Sequence, residues 1–425
     1  MVADAQPRSI LGEKALRDSV HAESEFARRL GPLILLLQLL GLPANAQVSL
    51  EEPPSARARS KILGGLQECV RDNAYVRGVS FDDLGSRLAQ SEPRLADAES
   101  AGEFARRVND VLAGYGVSHL MLYDPALTSL AQRGSEVGAG FRAMPLDEGG
   151  RLVTLVLPEG PAAKLGLRAG DVITRVDGES VAYDPSDLFP FSRGGRLLPA
   201  ASSSRGLQWT RGGSELSGEL RYGRYRRSLR LELRWEGDVA WLVLNSFQDY
   251  DTQAVEEVFR EIESRNARGL ILDLRSNGGG RESYHLHLAS MMIPAETPVF
   301  RSIRRGEESV SRVPKPETQL APYAGPLVIL VNGINGSAGE IFPAYMRQVR
   351  KATLIGSLTN GAVLGGIYCQ LNKGYRALVP IKEVLPLDGR RIEGRGVEPD
   401  VQLTPEQTTD AAVLLEKSLA ALESN

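Results

Sequence analysis

The sequence contains few residues that could cross-link the chain or bind metals. In 425 residues it has two cysteines, Cys69 and Cys369, and four histidines. Two cysteines imply no disulfide framework, and the sequence alone does not decide whether they pair. Lysine and arginine (50) nearly balance aspartate and glutamate (53), giving a net charge of −3. This balance gives no electrostatic reason to expect nucleic acid as a partner, so we expect peptides or proteins.

A long apolar run is also absent, because no stretch approaches the roughly 20 apolar residues of a membrane span. Residues 28–47 combine two arginines, a short apolar segment and a small-x-small end at Ala44 and Ala46. This order is typical of a secretory signal cleaved after Ala46. It predicts an extension and signal over 1–46 and an exported chain, periplasmic or extracellular, with membrane association only through an uncleaved signal. A buried core helix is the alternative, favoured by the 27 residues that precede Arg28.

The hydrophobic content of 42% is sufficient for a large core, and the length predicts two or three domains. Residues 60–114 have a helical pattern in which Phe104, Val108 and Leu112, together with Val111, fall on one face. We therefore expect a helical cap over 47–134.

Residues 151–181 change to the pattern of a small β domain. A strand pattern at Arg151–Leu157 is followed by Pro161, which can start a short helix, and by an alternating strand at Val172–Val176. Asp177-Gly178 then predicts a turn. This string resembles a PDZ domain of bacterial proteases, a module that adds an extended peptide to a sheet edge. We expect such a domain over 135–236, with an insertion at about 183–218 and a closing strand at Arg227–Trp235.

From residue 237 onward, strand and helix patterns alternate. Strands at 239–244, 269–274 and 326–331 are separated by helical segments. This order predicts an α/β core with buried parallel strands over 237–425.

Two glycine-containing turns follow buried strands of this core, Asp273-Leu-Arg-Ser-Asn-Gly-Gly-Gly280 and Asn332-Gly-Ile-Asn-Gly-Ser-Ala-Gly-Glu340. Each opens a helix, so unpaired amides and the positive helix end could stabilise an oxyanion beside Ser337. For either turn alone, tight turns made by glycine and a helix cap made by Ser337 explain the residues equally well.

Together the two turns resemble those of the carboxy-terminal processing and tricorn-core serine peptidase family. The resemblance implies a crotonase/ClpP-like α/β peptidase core with a helical cap and an inserted PDZ-like domain. It implies no cofactor, and Ser337 as the nucleophile of an acyl-enzyme mechanism. The oxyanion would be held by the amides of Ala338 and of Gly278 or Gly279.

The base separates two branches of that family. The processing branch uses a lysine, but Ala362 stands at the matching position, and alanine cannot accept a proton. The tricorn branch uses a Ser-His pair, which matches Ser118-His119. By that resemblance His119 is the general base, Ser118 orients it, and Glu393 completes a tetrad.

The other histidines offer one competing base and no metal site. His285 follows the first glycine turn closely and is the alternative base. His285 and His287 are two residues apart on a predicted helix, so they diverge and make a poor metal pair. We therefore predict no metal.

Two other functions are considered. A catalytically silent scaffold of the same fold is favoured by the lost lysine and opposed by Ser118-His119. An acyl-CoA enzyme of the crotonase type would also use amide oxyanion holes, but the PDZ-like string and the signal oppose it.

Overall fold

The computed structural model describes residues 52–125, 135–181, 204–221, 223–226, 231–248, 250–316, 318 and 320–424. The predicted signal at 28–47 lies outside these residues. Within them, no helix is long and apolar enough to cross a membrane.

The first part is a helical cap. Its helices are α1 (Ala56–Asn73), α2 (Leu84–Ala96) and α3 (Ala101–Ala113). On α3 the predicted face is buried, since Phe104, Val108 and Leu112 are at most 4% exposed. A short strand, β1 (Met121–Tyr123), follows the cap and pairs with a strand near the end of the core.

The second part is a β domain with one short helix. Its elements are β2 (Ser135–Gly138), β3 (Phe141–Pro145), β4 (Arg151–Val156), α4 (Pro161–Leu165), β5 (Val172–Val176), β6 (Glu179–Ser180), β7 (Ser204–Arg211), β8 (Ser214–Arg221) and β9 (Gly223–Arg226). The main sheet has the order β3-β4-β5-β7-β8, with β6 on β5, while β2 pairs with β9.

The predicted insertion at 183–218 is partly wrong. Most of its second half forms β7 and the start of β8, which pair residue for residue from Ser204↔Arg221 to Arg211↔Ser214. The strands were missed because their serine, glycine and arginine content hides the burial of Leu207, Trp209 and Leu220. Residues 183–203 of the interval lie outside the residues that the structure describes.

The core sheet contains β10 (Leu231–Glu236), β11 (Val239–Leu244), β12 (Gly269–Asp273), β15 (Leu327–Val331), β16 (Thr353–Gly356) and β19 (Val401–Gln402), in this order. All pairs are parallel except β10–β11. Of the strand expected at 227–235 to close the β domain, residues 231–235 therefore belong, as β10, to the core sheet, and residues 227–230 lie outside the described residues.

Helices cover both faces of this sheet. They are α5 (Thr252–Ser264), α6 (Glu282–Ser290) and α7 (Ala338–Arg350), which pack into one apolar cluster, and α8 (Ala411–Ser424), which packs into the other. Burial on both faces explains the continuous apolar runs of the strands, and the predicted α/β fold class is confirmed.

A second sheet joins the cap to the core. It has the order β1-β18-β13-β14, formed with β13 (Pro298–Arg304), β14 (Glu307–Arg312) and β18 (Arg376–Pro386), and β17 (Gly365–Gln370) also pairs with β18. The strand β18 is therefore the part of the core on which the cap is docked.

A disulfide reinforces this docking. Cys69 on α1 bonds to Cys369 on β17, across a sequence separation of 300 residues. The bond fastens the cap to the strand that leaves the turn around Ala362.

We expect the Cys69→Ser variant to lose about 2–5 kcal/mol of unfolding free energy, because the disulfide restricts the unfolded chain. Denaturant unfolding with and without reductant measures this loss. Reductant should destabilise the parent chain and leave the variant unchanged. Equal midpoints for the oxidised parent and the variant would contradict the stabilising role.

Candidate active site

Ser337 occupies a strained position between β15 and α7. Its backbone has φ 54° and ψ −123°, a region that side chains other than glycine rarely enter and that costs about 1–3 kcal/mol. Its side chain makes no capping hydrogen bond to α7, so helix capping does not explain the residue. The Ser337 amide donates to the carbonyl of Ala362 at 2.6 Å. A strained backbone that leaves the serine hydroxyl partly exposed is typical of turns that carry a nucleophilic serine.

The two glycine turns predicted from the sequence lie against each other. A Cβ added to Gly279 would sit 2.7 Å from the Ser337 Cβ, so only glycine fits there. The Asn335 side chain donates to the carbonyl of Leu274 at 2.7 Å, and the Gly336 amide donates to that of Asn277 at 3.3 Å. The first turn therefore forms one wall of the space beside Ser337.

Of the three backbone amides predicted to hold the oxyanion, one already donates a hydrogen bond within the fold. The Gly279 amide donates to the side chain of Asn277 at 2.9 Å. Among the described residues, no acceptor is found for the amides of Gly278 and Ala338. This arrangement favours Gly278 over Gly279 as the partner of Ala338.

The Ser118-His119 pair is connected to Glu393. The Glu393 carboxylate accepts the Ser118 amide at 2.7 Å, the Ser118 hydroxyl at 2.9 Å and the Val363 amide at 2.9 Å. The Ser118 Oγ lies 2.8 Å from Nδ1 of His119. Because the hydroxyl proton is directed to Glu393, Nδ1 donates to Oγ and Nε2 carries the lone pair. The imidazole is thus oriented as a base.

His119 belongs to the same region as Ser337. A Cβ on Gly366 would lie 3.5 Å from the His119 Cβ, which places the imidazole at the start of β17, four residues after Ala362. In the part of the chain that the structure describes, His119 and Ser337 share no hydrogen bond. Catalytic hydrogen bonds often tighten only when substrate is bound.

Glu340 holds the turn that contains Ala362. Its buried carboxylate accepts the amides of Gly361 at 2.6 Å and Ala362 at 2.7 Å, and it also accepts the hydroxyl of Thr359. Burial raises the pKa of Glu340 to about 7, although these three donors oppose the rise. These contacts show that Glu340 holds the turn in place.

The competing base, His285, lies inside the apolar core. It is 2% exposed, and its Nδ1 is 3.1 Å from the hydroxyl of Tyr345. Burial lowers the pKa of His285 to about 4. His287 pairs instead with Tyr250 at 2.9 Å. Both histidines therefore have structural partners.

The β domain contacts both glycine turns. Arg142 on β3 donates to the carbonyl of Ser276, and the Ser276 hydroxyl donates to Thr154 at 3.2 Å. Ile334, in the turn before Ser337, packs with Met144 and Leu152. The β domain can thus influence the geometry on either side of the nucleophile.

Comparison with known proteins agrees with these features. Residues 238–403 match the model of Peptidase family S41, and residues 152–193 match a PDZ domain. A chloroplastic C-terminal processing peptidase of Tetradesmus obliquus is 29% identical over 366 residues, 79% of this chain and 75% of the relative. A probable CtpA-like serine protease of Staphylococcus haemolyticus is 26% identical over 282 residues, 66% of this chain and 55% of the relative. The chain therefore spans about half the length of that staphylococcal relative.

Solved structures show the same fold. The photosystem II D1 C-terminal processing protease superposes with a TM-score of 0.60 at 22% identity, covering 85% of this chain and 97% of the other. Mature CPAF complexed with lactacystin gives a TM-score of 0.58 at 14% identity, covering 87% and 100%. The fold and the site thus define a serine-type peptidase. Residues 238–403 are thus similar to the S41 peptidase core and residues 152–193 to a PDZ domain, and the chain is similar over 79% of its length to a C-terminal processing peptidase.

Several residues that shape the site escaped the sequence analysis. The side-chain amide of Asn335 connects the two turns by donating to the Leu274 carbonyl, while the Asn277 side chain binds Gly279 within its own turn and Leu244 at the end of β11. Asn335 also donates to the Gly339 carbonyl at 3.2 Å, the acceptor that Pro343 leaves free because proline has no N–H. This contact lets α7 continue through Pro343. The repeated Asn-Gly spacing of the turns was the available signal, but it does not identify partners.

Removal from water lowers the pKa of His119 from 6.5 to about 4. The neutral, basic form therefore persists below pH 6, and we expect Ser337 labelling by a fluorophosphonate to remain substantial at pH 5.5. A pH series of labelling rates checks this. A loss of labelling centred at pH 6.5 would contradict the prediction.

Proposed function

We propose that this chain is an exported serine endopeptidase that cleaves peptides or unfolded protein tails through an acyl-enzyme. Ser337 is the nucleophile, His119 the general base, and Ser118 with Glu393 the relay that orients it. The amides of Gly278 and Ala338 stabilise the oxyanion. The PDZ domain binds the substrate terminus or gates the site.

The observation that carries the proposal is the continuous network between base and nucleophile. Glu393 binds Ser118 on one side and the Val363 amide on the other. Val363 follows Ala362, whose carbonyl accepts the Ser337 amide. The base and the nucleophile are therefore supported by one set of hydrogen bonds. Without this network, a partly buried histidine in the same region as a serine would be weak evidence for a catalytic pair.

The chemistry follows from these positions. Nε2 of His119 takes the proton of the Ser337 hydroxyl as Oγ attacks the peptide carbonyl, and later gives a proton to the leaving amine. Two convergent amides stabilise the negative oxygen of the tetrahedral intermediate. Water then attacks the acyl-enzyme with the same base. We assign to substrate binding the movement that brings His119 within hydrogen-bond distance of Ser337.

The loss of the lysine also supports a second candidate, a scaffold that binds peptide without cleaving it. Ala362 occupies the matching position, and its side chain is buried. The two candidates differ in the reactivity of Ser337.

Ser337→Ala should abolish peptide hydrolysis and fluorophosphonate labelling while leaving the fold intact, because no other group replaces the hydroxyl. Mass spectrometry of the labelled parent locates the adduct. An unlabelled parent chain that still binds peptide would favour the scaffold, and full activity in the variant would exclude Ser337 as the nucleophile.

His119→Ala should reduce kcat/KM roughly 10⁴-fold or more, as expected for loss of a general base. His285→Phe is the matched control, because it keeps the aromatic packing around Tyr345 and should retain the parent rate. Steady-state kinetics at neutral pH measure both. The reverse pattern, with only the His285 variant inactive, would transfer the role of base to His285.

A peptide with a free terminal carboxylate should have a KM about tenfold lower than the same peptide with a terminal amide, because backbone amides of such domains capture the carboxylate. kcat should change little, since the scissile bond is the same. Identical KM values would exclude recognition of the terminus and leave gating as the role of the PDZ domain.

A further inference from the structure

Glu383 on β18 is a buried carboxylate placed between two arginines. Its side chain is 0% exposed. Oε2 lies 3.1 Å from Nε of Arg77, and Oε1 lies 2.9 Å from Nε of Arg391. Among the described residues neither carboxylate oxygen makes a hydrogen bond, so the two ion pairs alone offset the cost of burying this charge.

The two arginines come from segments that are far apart in sequence. Arg77 belongs to the connection between α1 and α2 of the cap. This connection runs along β18, where the Tyr75 amide donates to the Pro380 carbonyl at 2.8 Å. Arg391 lies two residues before Glu393, in the loop that follows β18. Glu383 therefore joins the cap to the loop that supplies the relay carboxylate.

We infer that Glu383 is a positioning residue, which sets the spacing between the cap that carries His119 and the loop that carries Glu393 by binding Arg77 and Arg391 together. The inference rests on the proposed role of His119 as base. Glu383 touches neither the substrate nor the reacting atoms in this role; it acts through the two arginines.

A purely stabilising role is the competing explanation. The pairing of β1 with β18 and the Cys69–Cys369 bond already fasten the cap to the core at other points. Neither of these contacts includes the loop with Glu393, whereas the ion triad does. Loss of the triad should therefore shift the relay more than it weakens the fold. A misplacement of about 1 Å at a reacting group can cost about 100-fold in rate.

The test uses Arg77→Gln in the full chain, because the Arg77 side chain is 55% exposed and its removal should not prevent folding. Arg94→Gln is the matched control. Arg94 is 62% exposed and pairs with Asp110 within the cap, 2.6 Å away. Arg77→Lys tests whether restoring the charge restores the rate.

Arg77→Gln should lower kcat and the rate of Ser337 labelling by about 10- to 100-fold with KM nearly unchanged, and should lower the thermal midpoint only modestly, because Arg391 remains paired with Glu383. Arg77→Lys should recover part of the loss, and Arg94→Gln should match the parent. Glu383→Gln, if it folds, should reproduce the Arg77→Gln defect. A lower thermal midpoint with unchanged kcat in Arg77→Gln would show that the triad only stabilises the fold, and would overturn the inference.

Amide hydrogen exchange separates this inference from the proposed function. The amides of Ser118 and Val363 both donate to Glu393, so their exchange reports the relay even in an inactive chain. Faster exchange of both amides in Arg77→Gln, but not in Arg94→Gln, supports the positioning role whether or not Ser337 reacts. Unchanged exchange of both would overturn it. A parent chain in which the fluorophosphonate does not label Ser337 would instead reject the proposed function, whatever the exchange of the two amides.

Discussion

The site depends on the carboxylate of Glu393, which joins the cap segment that carries His119 to the core turn that contains Ala362 and Val363. It accepts two hydrogen bonds from Ser118 in the cap and one from Val363 in the core. Burial raises the pKa of Glu393, and the donors from Ser118 and Val363, with the charge of Arg391, oppose that rise. The Glu393 carboxylate accepts the proton of the Ser118 hydroxyl, so the Ser118 Oγ is left to accept from Nδ1 of His119. The lone pair of His119 then lies on Nε2.

The turns around Ser337 are held by a separate set of hydrogen bonds within the core. The Asn335 side chain and the Gly336 amide bind the two glycine turns to each other, and the Glu340 carboxylate binds the turn whose Ala362 carbonyl receives the Ser337 amide. Ser337 is thereby kept in a strained conformation. The proposed base, His119, follows the helices of the cap, which is fastened to β18 and β17 by strand pairing, the ion triad and the disulfide. One half of the site is thus preformed, and the other half depends on docking.

Much of this arrangement could be predicted where local patterns were strong. The apolar strands of the core, the helix that starts at Pro161 and the turn at Asp177-Gly178 follow from periodicity and turn chemistry. The strands β7 and β8 could not be recognised, because their polar composition is compatible with a loop and only pairing with β5 buries one face. The contacts of Glu383 and the disulfide also could not be predicted, because their partners are distant in sequence and meet only in the folded chain.

The most direct test of the link between cap and nucleophile is a crystal structure of the chain with a peptide boronate bound covalently to Ser337. We expect Nε2 of His119 within about 2.6–3.2 Å of the Ser337 Oγ or of a boronate oxygen. A second boronate oxygen should lie at the amides of Gly278 and Ala338. A boronate adduct in which His119 stays out of reach, and another proton acceptor contacts Ser337, would contradict the mechanism.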